Sequence, residues 1–312
     1  MEPAMHYASQ ILQRFASCLL AVVFAQFSFA QAAAAQNANP PTPSTSPLAR
    51  RYTDGEKLTY HMKGDNDGWT YEVQANGIVK KDPAGHLIEE YAWSDFKSNA
   101  SMSLSPASLS FRQTLSLDPA VPPSIPNLSQ VQPFLIGPIT DLLTFYSDLW
   151  IAIRQSDLTR AGDHAYVKLG GPSSWADGNY VILGEDSIDF DLTLKELNTS
   201  TQVATLLVRH VPPPQPKVKL PAAWMQTPVA DTPNNFIDVK AKNAAGKYVA
   251  EVGKETFDVE IKTSLKDGKI LSATLDNLVK VQHRECSDAA FTDCGEPSAH
   301  QIHRQIELRQ VP

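Results

Sequence analysis

Pro138-Ile139-Thr140-Asp141-Leu142-Leu143-Thr144-Phe145-Tyr146-Ser147-Asp148-Leu149-Trp150-Ile151-Ala152-Ile153-Arg154 is the stretch that decides how the rest of the chain must be arranged. At about 100° per residue, Ile139, Leu142, Leu143, Tyr146, Leu149, Trp150 and Ile153 fall within an arc of roughly 120°. Thr140, Thr144, Ser147, Asp148, Arg154 and Gln155 point the other way. That is the apolar stripe of a helix lying on a core, with a polar face left for water. Pro138 suits the first turn, where a missing N–H costs nothing, and Asp141 sits near the positive end of the helix dipole. Nearly everything else alternates with period two, so this helix needs a sheet to cover it. The expected fold is mainly β: a curved antiparallel sheet, a half-barrel-like meander, packed on one main amphipathic helix.

The strands flank the helix on both sides. Leu58, Tyr60 and Met62 alternate against Lys57, Thr59, His61 and Lys63, and residues 63–68 have turn composition. Trp69, Tyr71, Val73 and Ala75 carry the alternation into a second strand, with a bulge expected at Asn76-Gly77. Residues 86–96 make a third strand, with Tyr91 and Trp93 on one face, and Leu109, Phe111, Leu115 and Leu117 mark a fourth. Beyond the helix, Ala165, Val167 and Leu169 alternate, residues 180–183 form a short apolar run, and Ile188, Phe190, Leu192 and Leu194 lead through a turn to a strand over 203–211. Short turns between such runs specify a meander, not a βαβ series.

The strongest strand signal comes last. Phe257, Val259, Ile261 and Leu265 alternate up to the Lys266-Asp267-Gly268 turn, and Leu271, Ala273, Leu275, Val279 and Val281 follow it. A three-residue loop with Gly268 left-handed pairs Leu265 with Lys269, Thr263 with Leu271 and Ile261 with Ala273. Only that register puts both apolar sets on one face. A final strand over 300–309 carries Ile302, Ile306 and Leu308 inward.

Residues 1–35 have the layout of a secretory signal, with Arg14 before a broken apolar run and small residues for cleavage near Ala30 or Ala35. The competing reading is an uncleaved anchor, against which the run is short for a span of ~20 residues. Residues 36–50, rich in proline and poor in apolar side chains, read as a disordered tether. Residues 51–312 then form a single β-rich domain, with a subdivision possible at the proline-rich connector over 212–233. The chain has 27 Lys and Arg against 34 Asp and Glu, for a net charge of −7. Loss of residues 1–35 removes one charge of each sign. An acidic chain without a basic stripe argues against nucleic acid; Lys280, Arg284, Arg304 and Arg309, interleaved with Glu285 and Glu307, read as a solvated face. Cys286 and Cys294, eight positions apart in an exported chain, read as a structural disulfide.

No motif calls for a catalytic residue, a metal or a cofactor. His300 and His303 lie three apart on a strand and so face opposite ways, although His283 can join one of them across a hairpin. Glu89 and Glu90 diverge for the same reason and lack the facing geometry of paired catalytic carboxylates. The serines at 173–174 and 101–110 have no glycine-flanked elbow, and Gly170-Gly171-Pro172 opens no helix that would cradle phosphate. The aromatic residues are more suggestive. Trp69, Tyr71, Tyr91, Trp93, Phe111, Tyr146 and Trp150 all point toward the helix–sheet interface. Core packing is the default account of them. The sharper hypothesis is an apolar pocket under the helix, lined by Tyr91, Trp93, Phe111, Leu142, Tyr146, Leu149 and Trp150.

Gly55-Glu56-Lys57-Leu58-Thr59-Tyr60 resembles the Gly-Glu-x-Leu-x-Tyr opening of an exported bacterial β-rich family, and residues 284–309 with their cysteine pair are similar to exported bacterial proteins. Alternating strands with one helix also resemble LolA/LppX-like lipoprotein carriers in topology, a likeness that implies a half-barrel holding a lipid beneath helices. The expectation is a periplasmic or extracellular envelope protein that binds a lipid or another apolar or amphipathic small molecule without catalysis, in peripheral contact with a membrane. A structural or protein-interaction module of the envelope is the alternative, and a hydrolase with loop-borne residues the third reading. The disulfide gives a direct test. Replacing Cys286 and Cys294 with serine is expected to lower stability by about 2.5 kcal/mol in the chain-entropy account, read as a shift in urea midpoint at unchanged slope.

Overall fold

The computed structural model describes residues 46–100, 102–124, 126–168, 175–177, 180–182, 189–211, 222–230, 234, 236–240 and 242–311. The expected signal at 1–35, the glycines at 170–171 and most of the 212–233 connector lie outside these residues. Four strands and a short helix precede the main helix: β1 (Lys57–Asn66), β2 (Trp69–Lys81), β3 (Leu87–Ser98), α1 (Pro106–Ser110) and β4 (Arg112–Leu115). The main helix, α2, spans Pro133–Ile153. Then come β5 (His164–Lys168), β6 (Trp175–Asp177), β7 (Tyr180–Ile182), β8 (Asp189–Asn198), β9 (Val203–Val211), a 3₁₀ turn at Ala223–Gln226, β10 (Phe236–Lys240), β11 (Tyr248–Ser264), β12 (Ile270–Cys286) and β13 (Ser298–Gln310).

The fold is mainly β, as the alternation requires. All strands join one open antiparallel sheet that starts β4-β3-β2-β1-β13-β12-β11. It forks at β11. Residues 249–253 of that strand pair with β10, which continues to β7 and β6, whereas residues 257–264 pair with β9, then β8 and β5. β1 and β13, the first and last strands, lie side by side near the centre of the sheet. Among the described residues no pairing closes the sheet into a barrel.

The helix departs from expectation in two ways. It begins five residues early, at Pro133, so Pro138 lies inside it, and the polar face is buried: Thr140, Asp141, Thr144 and Asp148 are as inaccessible as Leu142 and Leu149. The core wraps the helix on every side instead of touching one stripe. The threonine hydroxyls return to carbonyls of their own helix, Thr140 to Ile136 O at 3.0 Å and Thr144 to Thr140 O at 3.0 Å, so it is the two aspartates that need partners from the sheet.

Smaller differences have local causes. Residues expected to open the fourth strand instead make α1, because Ser105 caps it, accepting a hydrogen bond from the Ser108 amide at 3.2 Å, and Pro106 starts the first turn; Leu109 is therefore exposed. The composition-based turn at 63–68 shrinks to Asp67-Gly68, both left-handed. Asn76-Gly77 holds regular register against β1 and β3; the β2–β3 irregularity falls beside Glu72, opposite Asp95, whose φ is +53°. At the last hairpin Ile261 faces Ala273 as expected, but a shift beside Lys262 pairs Thr263 with Ile270 in place of Leu271, and Ile270 enters the core. The tether ends sooner than position 50: Leu48 is buried in the main core, and the Arg51 amide donates to Asp267 O at 2.8 Å.

Two glycines allow the sheet to hug the helix. A Cβ at Gly77 would lie 2.5 Å from the Tyr91 ring, and one at Gly64 would intrude on the Tyr71 ring. Each tyrosine lies flat across its glycine partner on the neighbouring strand and so reaches α2. Gly77→Ala is expected to displace Tyr91 and cost about 1–3 kcal/mol in urea denaturation, whereas the exposed Lys57→Ala should change it by no more than about 0.5 kcal/mol.

Candidate functional site

Inward alternation on β3 places Tyr91 and Trp93 in the core with Glu89 beside them. Leu142, Tyr146, Leu149 and Trp150 meet them from α2, and Phe111 is half-buried at the margin. Thus the residues expected to line a pocket do come together, but in mutual contact. Tyr91 and Tyr146 share a hydrogen bond of 2.7 Å with their rings edge to face, and Trp150 Nε1 donates to Asp118 O at 3.2 Å.

At the centre of this group lies an ion pair invisible to the aromatic pattern. The Glu89 carboxylate accepts from Arg50 Nε at 2.8 Å, from the Tyr91 hydroxyl at 3.1 Å and from the Tyr146 hydroxyl. Arg50 also donates to Glu56 at 2.9 Å, and Glu56 pairs with Lys269. Burial alone would lower the Arg50 pKa, but the Glu89 charge and the hydrogen bonds of both glutamates hold it above its ordinary value. Burial, and after it the Glu89 charge, pushes the hydroxyls of Tyr52, Tyr60, Tyr91 and Tyr146 up; burial does the same for Tyr71.

α2 is met by polar side chains from four strands. Asp141 pairs with Arg304 of β13 and accepts from the Tyr71 hydroxyl of β2 at 3.2 Å. Asp148 bonds the His210 ring of β9 at 2.9 Å, and that ring stacks on Phe257. Gln113 of β4 donates to Ile139 O at 3.0 Å. Arg304 is therefore no part of a solvated face; it is buried and neutralises the helix. Burial raises the Glu255 pKa, while the amide of Asn277, 2.8 Å away, acts against the rise.

The concave feature lies on the other side of the sheet. A groove of about 590 Å³ crosses β3, β2, β1, β13 and β12, within the size range of small-molecule sites. Its walls are outward side chains, Lys63, Glu72, Lys97 and Glu307 on one side and Thr70, Asp65, Gln305 and Asp276 on the other. Its floor is the backbone of the row between them, Tyr71, Gly64, Ile306 and Leu275, whose side chains, where there are any, point inward to the core. The walls carry aliphatic stems beneath polar heads, and such walls suit an amphipathic guest.

The remaining expected groups are elsewhere. His283 and His300 both approach Glu251, at 3.1 and 3.7 Å, while His303 faces away and bonds Asp276. Among the described residues no group of three or more His, Cys, Asp or Glu side chains is arranged to hold a metal ion. Glu90 diverges from Glu89 and pairs with Lys80 outside. Cys286 and Cys294 are bonded, and beside them Arg284 lies over the Trp224 ring, again not simply solvated. Among the described residues no helix is long and apolar enough to cross a membrane.

The class that fold and groove define is an open antiparallel sheet wrapped on a central helix. No protein-family model matches the chain, and searches of curated proteins and of solved structures found no match.

The buried hydroxyls give a pH test. A tyrosine whose folded pKa is raised stabilises the fold fully below its unfolded value of about 10 and loses that contribution as pH rises further. The protein is expected to hold its stability at neutral pH and to unfold cooperatively above about pH 10, with tyrosinate absorbance appearing together with loss of the near-ultraviolet dichroism. Gradual titration in a folded protein is the contrary outcome.

Proposed function

We propose that the chain is a non-catalytic binding protein of an exported compartment, and that an amphipathic small molecule occupies the outer groove. The groove carries this reading. It offers the aliphatic stems and polar heads of two walls over a floor of backbone, whereas the aromatic residues beneath the helix are engaged with one another. The ionisable groups buried around α2 are paired in ways that fix the helix, which is a scaffold's use of charge. The bonded cysteine pair is compatible with an oxidising compartment. Contact with a membrane surface follows if the guest is a lipid, whose polar end would sit between the walls.

Native mass spectrometry of the full chain with dodecyl amphiphiles below their micelle concentration, carrying trimethylammonium, phosphocholine or sulfate heads, tests the reading. At least one is expected to form a one-to-one complex, and Thr274→Trp, which fills the groove from its exposed wall, should abolish it. Binding by none of the three, or binding that survives Thr274→Trp, would overturn it.

A further inference from the structure

The strand registers fix the groove's dimensions and charge order. Lys97 faces Glu72, Glu72 faces Lys63, Lys63 faces Glu307 and Glu307 faces Thr274, so one wall is a single row across five strands. The other wall is the row Thr70, Asp65, Gln305, Asp276, two residues further along each strand. Strands about 4.8 Å apart make the first row about 19 Å long and the second about 14 Å, and a two-residue offset separates them by about 6.8 Å. Spread over the longer row, the 590 Å³ groove has a mean cross-section of about 30 Å². That admits one unbranched chain lying across the strands and leaves little room for rings or side branches.

The charges repeat at a fixed interval. Glu72 and Glu307 on one wall, and Asp65 and Asp276 on the other, are each separated by a single intervening strand, which puts about 9.6 Å between carboxylates along either wall. Four carboxylates face two lysines. Their present partners are Lys63 on Glu72 at 2.9 Å, Arg309 on Glu307, His303 and Gln305 on Asp276 at 3.1 Å, and the Gly68 amide of the β1–β2 turn on Asp65 at 2.8 Å. Exposed pairs of this kind are worth about 0–1 kcal/mol each, so a ligand exchanges them at small cost.

We infer that the groove takes a linear chain bearing protonated amines roughly 10 Å apart, so that the polar part of the ligand is an alkyl diamine or polyamine. This rests on the groove being the binding site. Methylene segments lie along the side-chain stems of the walls, while ammonium groups are received by Glu72 with Thr70, Glu307 with Gln305 and Asp276 with Thr274, each a carboxylate of one wall and a hydroxyl or amide of the other.

Calorimetry with spermidine on the full chain at low salt tests the inference. A one-to-one complex is expected, weakened about tenfold or more when Asp65→Asn and Asp276→Asn are combined, and weakened by added salt. Thr274→Trp should abolish it. Glu90→Gln, which lies off the groove against Lys80, should leave it unchanged. Spermidine that fails to bind, or binds the double variant equally well, overturns the inference. If the dodecyl sulfate or phosphocholine amphiphile then binds and is lost in Thr274→Trp, the charge assignment alone falls; if no amphiphile binds either, the groove reading falls with it.

Discussion

Carboxylates buried around one helix are the constraint from which the architecture follows. Asp141 and Asp148 sit on α2, and Glu89 reaches it from β3; none of them is exposed to water by more than a trace. An unpaired charge in such a place costs several kcal/mol, more than the helix gains from any single apolar contact. Each must therefore meet a cation or a donor, and each partner comes from a different part of the chain: Arg304 from β13, His210 from β9, Tyr71 from β2, and Arg50 from the segment before β1. Hydrophobic burial is nearly indifferent to a helix sliding or rotating in its trough. These pairs are not, and they fix its angle and depth at once.

Arg50 shows how far that requirement extends. The residues before β1 have no strand to join, yet Leu48 fills the core and Arg50 bridges Glu89 to Glu56, with Lys269 completing the group from the last hairpin. The turn at Gly268 is packed against the same segment: a Cβ there would meet Ala49 O. First strand, third strand, last hairpin and leading segment are thus tied through one charge cluster, which complements the central pairing of β1 with β13.

Much of this was legible beforehand, and the misses share a cause. Strand existence followed from period-two alternation, because one buried face leaves that mark whatever lies against it. The helix was found from its stripe, but its extent of burial was not, since Thr140, Asp141, Thr144 and Asp148 look like a wet face until Arg304 and His210 are placed opposite. The signal was present in parity. Arg304 shares a face with Ile306 and Leu308, His210 with Val208 and Leu206, and Glu89 with Tyr91 and Trp93; a charged residue at an inward position implies a buried partner. The groove left no comparable trace. It depends on which rows of five strands align, and those include pairings between residues more than two hundred positions apart, such as Lys63 with Glu307.

The fork in the sheet sets how force passes through the molecule. On one side β11 is bonded to β12 along its length, but on the other its neighbour changes from β10 to β9, and Lys254, Glu255 and Thr256 fall between the two pairings. Around that gap, among the described residues, the strand pairing that joins the two leaves runs through β11. Through strand pairing, twist imposed on the leaf of β10, β7 and β6 passes by way of β11, β12 and β13 to the helix-bearing leaf. It arrives at Asn277 and Arg304, which face one another across β12 and β13, making that crosspiece the torsion bar of the fold.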